Sequence, residues 1–270
     1  MKFDMSEAWR QATAMIAANR EVLLVVAGLF FFLPSVALGF ALGDVQSLMM
    51  EDASNAQDAV LAAYSSYWWL FLLVLVFSII GYLTLLALLR DVQRPTVGEA
   101  LRIAGSGLLP AVGAYLIFSV GMGLMLVLLV GIAAATGSTA AASLALLICF
   151  VGFLYAGVKV SLAGPVIAIE KMLNPVRVLG RSWRLTKGNS FRLFVFYMLL
   201  VIAYIVVSMF AGLFVTALVF LVGSSAGLII NAVLTGLLSA VITTVLVAVL
   251  AAAHRQLAGP SAQRLSETFE

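Results

Sequence analysis

Six long stretches of nearly unbroken apolar sequence, at residues 22–43, 67–89, 108–135, 142–169, 193–222 and 227–253, constrain this chain more than anything else in it. A hydrocarbon layer about 30 Å thick is crossed by about 20 helical residues, and every stretch is at least that long. Backbone polar groups in lipid must be satisfied within a helix or around a closed barrel. Barrel strands are about half as long and alternate in polarity, so helices remain. Composition agrees, because a 270-residue soluble domain with 64% hydrophobic residues, 10% charged residues and a mean hydropathy of +1.16 could not hide its apolar surface from water. The sequence therefore predicts an all-α, polytopic helical membrane protein with six transmembrane helices.

The connections between these runs differ sharply in charge. Segments 1–21, 90–107, 170–192 and 254–270 hold fourteen of the fifteen Lys and Arg, whereas 44–66, 136–141 and 223–226 hold none and carry Asp44, Glu51, Asp52 and Asp58. The positive-inside rule then places both termini in the cytoplasm. Tyr64, Tyr67, Trp68 and Trp69 cluster where the second span meets the outer interface, the level at which amphipathic rings settle. The first apolar run is too long, and its leader with Asp4 and Glu7 too acidic, for a cleaved signal peptide. A net charge of +3 reads as topology information; no basic groove interleaved with exposed aromatics points to nucleic acid.

Helix-start signals recur before the odd-numbered spans. Asp4-x-x-Glu7 and Thr96-x-x-Glu99 have capping-box form, and Asn174-Pro175 supplies a cap followed by proline at the first helical position. Glu7-Ala8-Trp9-Arg10 and Glu99-Ala100-Leu101-Arg102 also share letters. The pattern predicts three tandem units at 4–90, 96–170 and 174–254, each an interfacial amphipathic helix plus a two-span hairpin, within a single transmembrane domain 1–270 whose tail is 255–270. Units with an even number of spans are parallel repeats, unlike the inverted repeats of many secondary transporters.

The basic elbow before the fifth span carries the densest local signal. Asn174-Pro175 opens a helix, Gly188-Asn189 tolerates a left-handed stop, and Arg177, Arg181 and Arg184 share one stripe while Val176, Leu179 and Trp183 share another. Such a helix would lie in the cytoplasmic interface with Trp183 toward the acyl boundary. Lys171, Arg177, Arg181, Arg184, Lys187 and Arg192, against Glu170 alone, form a candidate contact set for anionic lipid headgroups or a protein partner. The plainer reading is an orientation signal with no ligand.

Lys159 is the only charged residue within an apolar run. Counting about 1.5 Å per residue from Ile169 puts it roughly 15 Å from the cytoplasmic end, near mid-bilayer. A lysine there is costly and should face other helices or a polar cavity. It is a candidate intramembrane polar site, as a contact for an anionic group; structurally it could donate to carbonyls freed near Pro165 or to a hydroxyl such as Tyr155. Gly152, Ala156, Gly157 and Ser161 nearby make small-xxx-small pairs. Gly121, Gly123, Gly157, Gly212 and Gly236 read as packing contacts rather than a pore lining.

Catalytic signals are missing. The single cysteine, Cys149, sits in an apolar run as a packing residue, and the single histidine, His254, has no Cys or carboxylate near it in sequence. No nucleophile with a base, metal cage, paired carboxylates or phosphate-cradling loop is legible, so no catalytic residue, metal or cofactor is expected.

Pro165-x-x-x-x-Glu170, then Arg181-Ser182-Trp183-Arg184-Leu185-Thr186-Lys187-Gly188 and Phe191-Arg192, resembles the central signature of the membrane domain found beside bacterial glycerophosphoryl diester phosphodiesterases and of the related YciC-like inner-membrane proteins. The resemblance covers about 30 residues. It implies a bacterial inner-membrane protein and a fold signature. The phosphodiesterase chemistry of such fusions resides in a separate soluble barrel, for which this chain has no room. The leading expectation is a non-enzymatic multi-pass protein with an accessory or envelope-related role, binding lipid or a protein partner. The rival is a transporter or channel for a small or anionic solute with Lys159 on its path, and a lipid-modifying enzyme stands third.

Overall fold

The computed structural model describes residues 2–43, 56–90, 95–222 and 224–259. Asp44, Glu51, Asp52 and most of the 255–270 tail lie outside the described residues. Among the described residues nine helical elements follow in order: α1 (Met5–Ala18), α2 (Arg20–Ala41), α3 (Ala56–Leu88), α4 (Val97–Ala135), α5 (Thr139–Val160), α6 (Ala163–Ala168), α7 (Pro175–Leu185), α8 (Ser190–Val222) and α9 (Ser224–Ala258). The described residues contain no strand. Among the described residues six helices are long and apolar enough to cross a membrane, with α5 and α6 together making the fourth.

Local capping sets the helix starts as the sequence predicts. Asp4 accepts from Glu7 N–H at 2.9 Å, and Asn174 accepts from Arg177 N–H at 3.0 Å. Thr96 and Glu99 form the full reciprocal box. Glu7 does not reach back; its carboxylate is taken by Arg10 and Gln11. The three starts do not open three like elements. α1 and α7 are separate short helices, but α4 runs unbroken for 39 residues from Thr96 into the third span, since nothing between Val97 and the apolar run interrupts it.

Proline and glycine shape the spans. Pro34 has no N–H and its ring crowds the carbonyl four residues back; α2 widens just before it into a π-helical turn, Gly28–Phe32, in which Leu33 N–H reaches Gly28 C=O. Small residues then let neighbours approach. A Cβ on Gly236 would lie 2.8 Å from Val36, one on Gly81 2.4 Å from Phe30, and one on Gly164 2.3 Å from the Tyr82 ring. Four of the five glycines read from the sequence as packing contacts behave otherwise: Gly121, Gly123, Gly157 and Gly212 have nothing within 4 Å, and only Gly236 packs. They lie on faces the bundle leaves open.

The core gathers at the end of the bundle that carries the Lys and Arg. Residues 247–254 of α9 are buried on every side, because α1, α2, α3, α6 and α8 all pack around that helix. Leu83 and Leu85–Ala87 of α3 are likewise fully enclosed. The N-terminal segment is clasped there: Phe3 N–H donates to Asn189 Oδ1 at 2.8 Å, Asp4 N–H to Gln256 Oε1 at 3.1 Å, and Gln256 Nε2 returns to Asp4 C=O at 3.2 Å. Toward the opposite end the spans present apolar side chains outward, such as Phe214, Phe220 and Leu221 of α8. Tyr64, Trp68 and Trp69 are exposed beside a break in α3 at Tyr67.

Candidate functional site

The fourth span does not continue as one helix to Ile169. α5 ends at Val160, the chain turns at Ser161 and Leu162, and α6 carries it for six residues to Ala168. Lys171 then takes a left-handed conformation (φ 55°), and the chain folds back into α7. Gly188, at φ 82°, ends the elbow and lets α8 begin. The face of α7 turned into the protein is Val178, Ser182 and Leu185, at i, i+4 and i+7. Val176 and Trp183 are exposed, as are Arg177 and Arg184.

This folding back brings Ser182 onto the end of α5. Its hydroxyl donates to Lys159 C=O at 2.7 Å, satisfying a carbonyl that the turn at Ser161 frees. Ser161 in turn shares a hydrogen bond with Tyr197 OH of α8 at 3.1 Å. Lys159 therefore sits beside the elbow helix, on a span that is not one straight helix down to Ile169. Its side chain is 3% exposed. The ammonium lies 5.5 Å from the Tyr155 ring centre and 5.4 Å from that of Trp183, and the rings meet edge to face at 5.9 Å. Both are cation–π distances. Among the described residues the ammonium makes no hydrogen bond and no ion pair; it donates to neither a carbonyl near Pro165 nor the Tyr155 hydroxyl.

A second cluster lies at the same end. Arg181 Nε donates to both oxygens of Glu170, at 3.0 and 3.2 Å, and His254 Nε2 stands 2.9 Å from Glu170 Oε1. Because an ionised carboxylate only accepts, Nε2 carries the proton in that bond. Burial pushes the Glu170 carboxyl up, but the hydrogen bonds and charges of His254 and Arg181 outweigh it and hold the group at about 2. The sequence misses this cluster. His254 and Glu170 are 84 residues apart, and the shared signal is only that each stands where a span ends.

The proposed cationic set divides accordingly. Arg181 is turned inward and committed to Glu170, because its position on α7 borders the buried face. Arg192 Nη1 reaches Phe3 C=O at 3.4 Å. Lys171, Arg177, Arg184 and Lys187 are exposed. Four helices thus converge on the elbow: α5 gives the caged lysine, α6 leads to Glu170, α7 gives Ser182, Trp183 and Arg181, and α9 gives His254.

A six-span helical membrane protein with a charge-stapled elbow is the class that this architecture defines. No family model, curated protein or solved structure matches the chain, so the likeness read between Pro165 and Arg192 rests on those residues alone.

Proposed function

We propose that this chain is a non-enzymatic multi-pass protein of a bacterial inner membrane, with cytoplasmic termini and an accessory or envelope-related role, and that its elbow holds the headgroup of an anionic lipid. The observation carrying this reading is Lys159: a buried ammonium faces two ring surfaces and, among the described residues, pairs with no carboxylate. Removing a cation from water is costly unless acceptors replace the lost hydration. A phosphate would supply them. Tyr155 and Trp183 are both about half exposed, as amphipathic rings at a lipid boundary are, and Arg177 and Arg184 offer further charge from the same short helix.

Lipid retained by gently extracted protein, measured by native mass spectrometry, tests this. Lys159→Met, and separately Arg177→Gln with Arg184→Gln, should each lower retained phosphatidylglycerol, about fivefold per charge at ~1 kcal/mol each. Retention unchanged in both variants would defeat the reading. A protein in place of lipid would defeat the lipid assignment and make the elbow a partner site.

A further inference from the structure

A cavity of about 460 Å³ lies among α2, α3, α4 and α9, away from Lys159, which does not line it. Its volume falls within the range of about 300–1,000 Å³ typical of small-molecule sites. The floor is Phe31, Pro34 and Ser35, immediately after the π-helical turn of α2. The rim includes Leu75, Tyr115 and Leu116, all more than half exposed. These residues belong to the middle of membrane-spanning helices, so the cavity opens toward hydrocarbon and its occupant would enter from the bilayer.

The lining contains no charged side chain but is rich in hydroxyls. Hydroxyls in apolar helices usually turn back to a carbonyl of their own helix, as Thr84, Thr216 and Thr244 do here. In the cavity they do not. Ser35 and Ser239 pair with one another across α2 and α9 at 3.3 Å. Among the described residues, Ser78, Tyr82, Tyr115, Ser119 and Thr243 line it without a hydrogen bond. Hydroxyls left unpaired in an apolar medium cost free energy that a partner recovers.

We infer that this cavity binds an uncharged lipophilic molecule bearing a hydroxyl or carbonyl group, a long-chain alcohol or ketone dissolved in the bilayer core. An ionised ligand has no countercharge in the lining. A plain hydrocarbon leaves the hydroxyls unmet. Phospholipid headgroups and ester carbonyls sit at the membrane surface, above this level. The assignment is independent of the elbow, and loss of one site leaves the other.

The experiment uses the full chain in phosphatidylcholine nanodiscs with a diazirine-bearing hexadecanol as the photolabel. Labelling should concentrate on residues 74–82 and 112–119. Unlabelled hexadecanol should displace it far better than hexadecane. Ser119→Val with Thr243→Val should weaken hexadecanol competition by about fivefold per hydroxyl lost, the fold-change of one net hydrogen bond, without changing competition by hexadecane. Ser35→Phe should abolish labelling by filling the floor; where that variant fails to fold, Ser119→Val alone at the rim decides. Label spread equally over the lipid-facing side of α8, or equal competition by alcohol and alkane, overturns the inference.

Discussion

Glu170 joins the elbow to the last span through Arg181 and His254. Hydrogen bonds to charged groups contribute about 1.5–3 kcal/mol each, and a neutral amide in place of the carboxylate loses the charge and one of the two acceptor oxygens. Glu170→Gln should therefore destabilise the detergent-solubilised protein by about 2 kcal/mol or more at neutral pH in a thermal unfolding assay. The pH dependence follows from a folded value of about 2 against an ordinary value of 4.5. A lowered carboxyl contributes fully above its unfolded value and loses that contribution as pH falls through the folded one. Glu170's own contribution to the gap between wild type and Glu170→Gln should shrink on acidification from about pH 5 toward pH 2. Ser182→Ala should cost a smaller amount, about 1 kcal/mol, by uncapping Lys159 C=O. The helix from Asn174-Pro175 to its stop at Gly188 is legible in sequence. That Ser182 caps α5 and that Arg181 is spent on Glu170 are not, because both partners come from other helices.

At the scale of elements, the contrast among glycines is the clearest test of how the spans pack. Gly164 of α6 holds the Tyr82 ring of α3 so closely that a Cβ would stand 2.3 Å from it, whereas Gly121 and Gly212 face open space. Gly164→Ala should destabilise by about 1–3 kcal/mol through overpacking, seen as an earlier loss of the monodisperse peak on heating followed by size-exclusion chromatography. Gly121→Ala and Gly212→Ala should leave that peak unmoved. The sequence shows small residues in every span but not which of them meet a neighbour. Capping differs: Asp4, Thr96 and Asn174 are read correctly as starts because the bonds they make close within three residues.

For the whole molecule, the N-terminal segment and the end of α9 meet, so both described ends of the chain share one side of the bundle. Phe3, 3% exposed against Phe196, closes that contact, and Phe3→Ala should cost about 3 kcal/mol as a large-to-small core substitution, read as a lowered unfolding midpoint in detergent. Under the positive-inside rule the lysine and arginine distribution makes the cytoplasm the expected side. Reporter fusions should be active on the cytoplasmic side after residue 259 and on the outer side at residue 55; a cytoplasmic signal at residue 55 would reverse the orientation.

The number of spans, the basic end and the helix starts are determined by the sequence alone, because lipid admits almost one solution to a long apolar run and capping acts over three residues. Tertiary structure decides the rotation of each helix about its own axis. A span that is apolar on every side has no periodic stripe to reveal which face turns inward. The cage around Lys159, the Glu170–His254 pair and the hydroxyl-lined cavity all depend on those rotations.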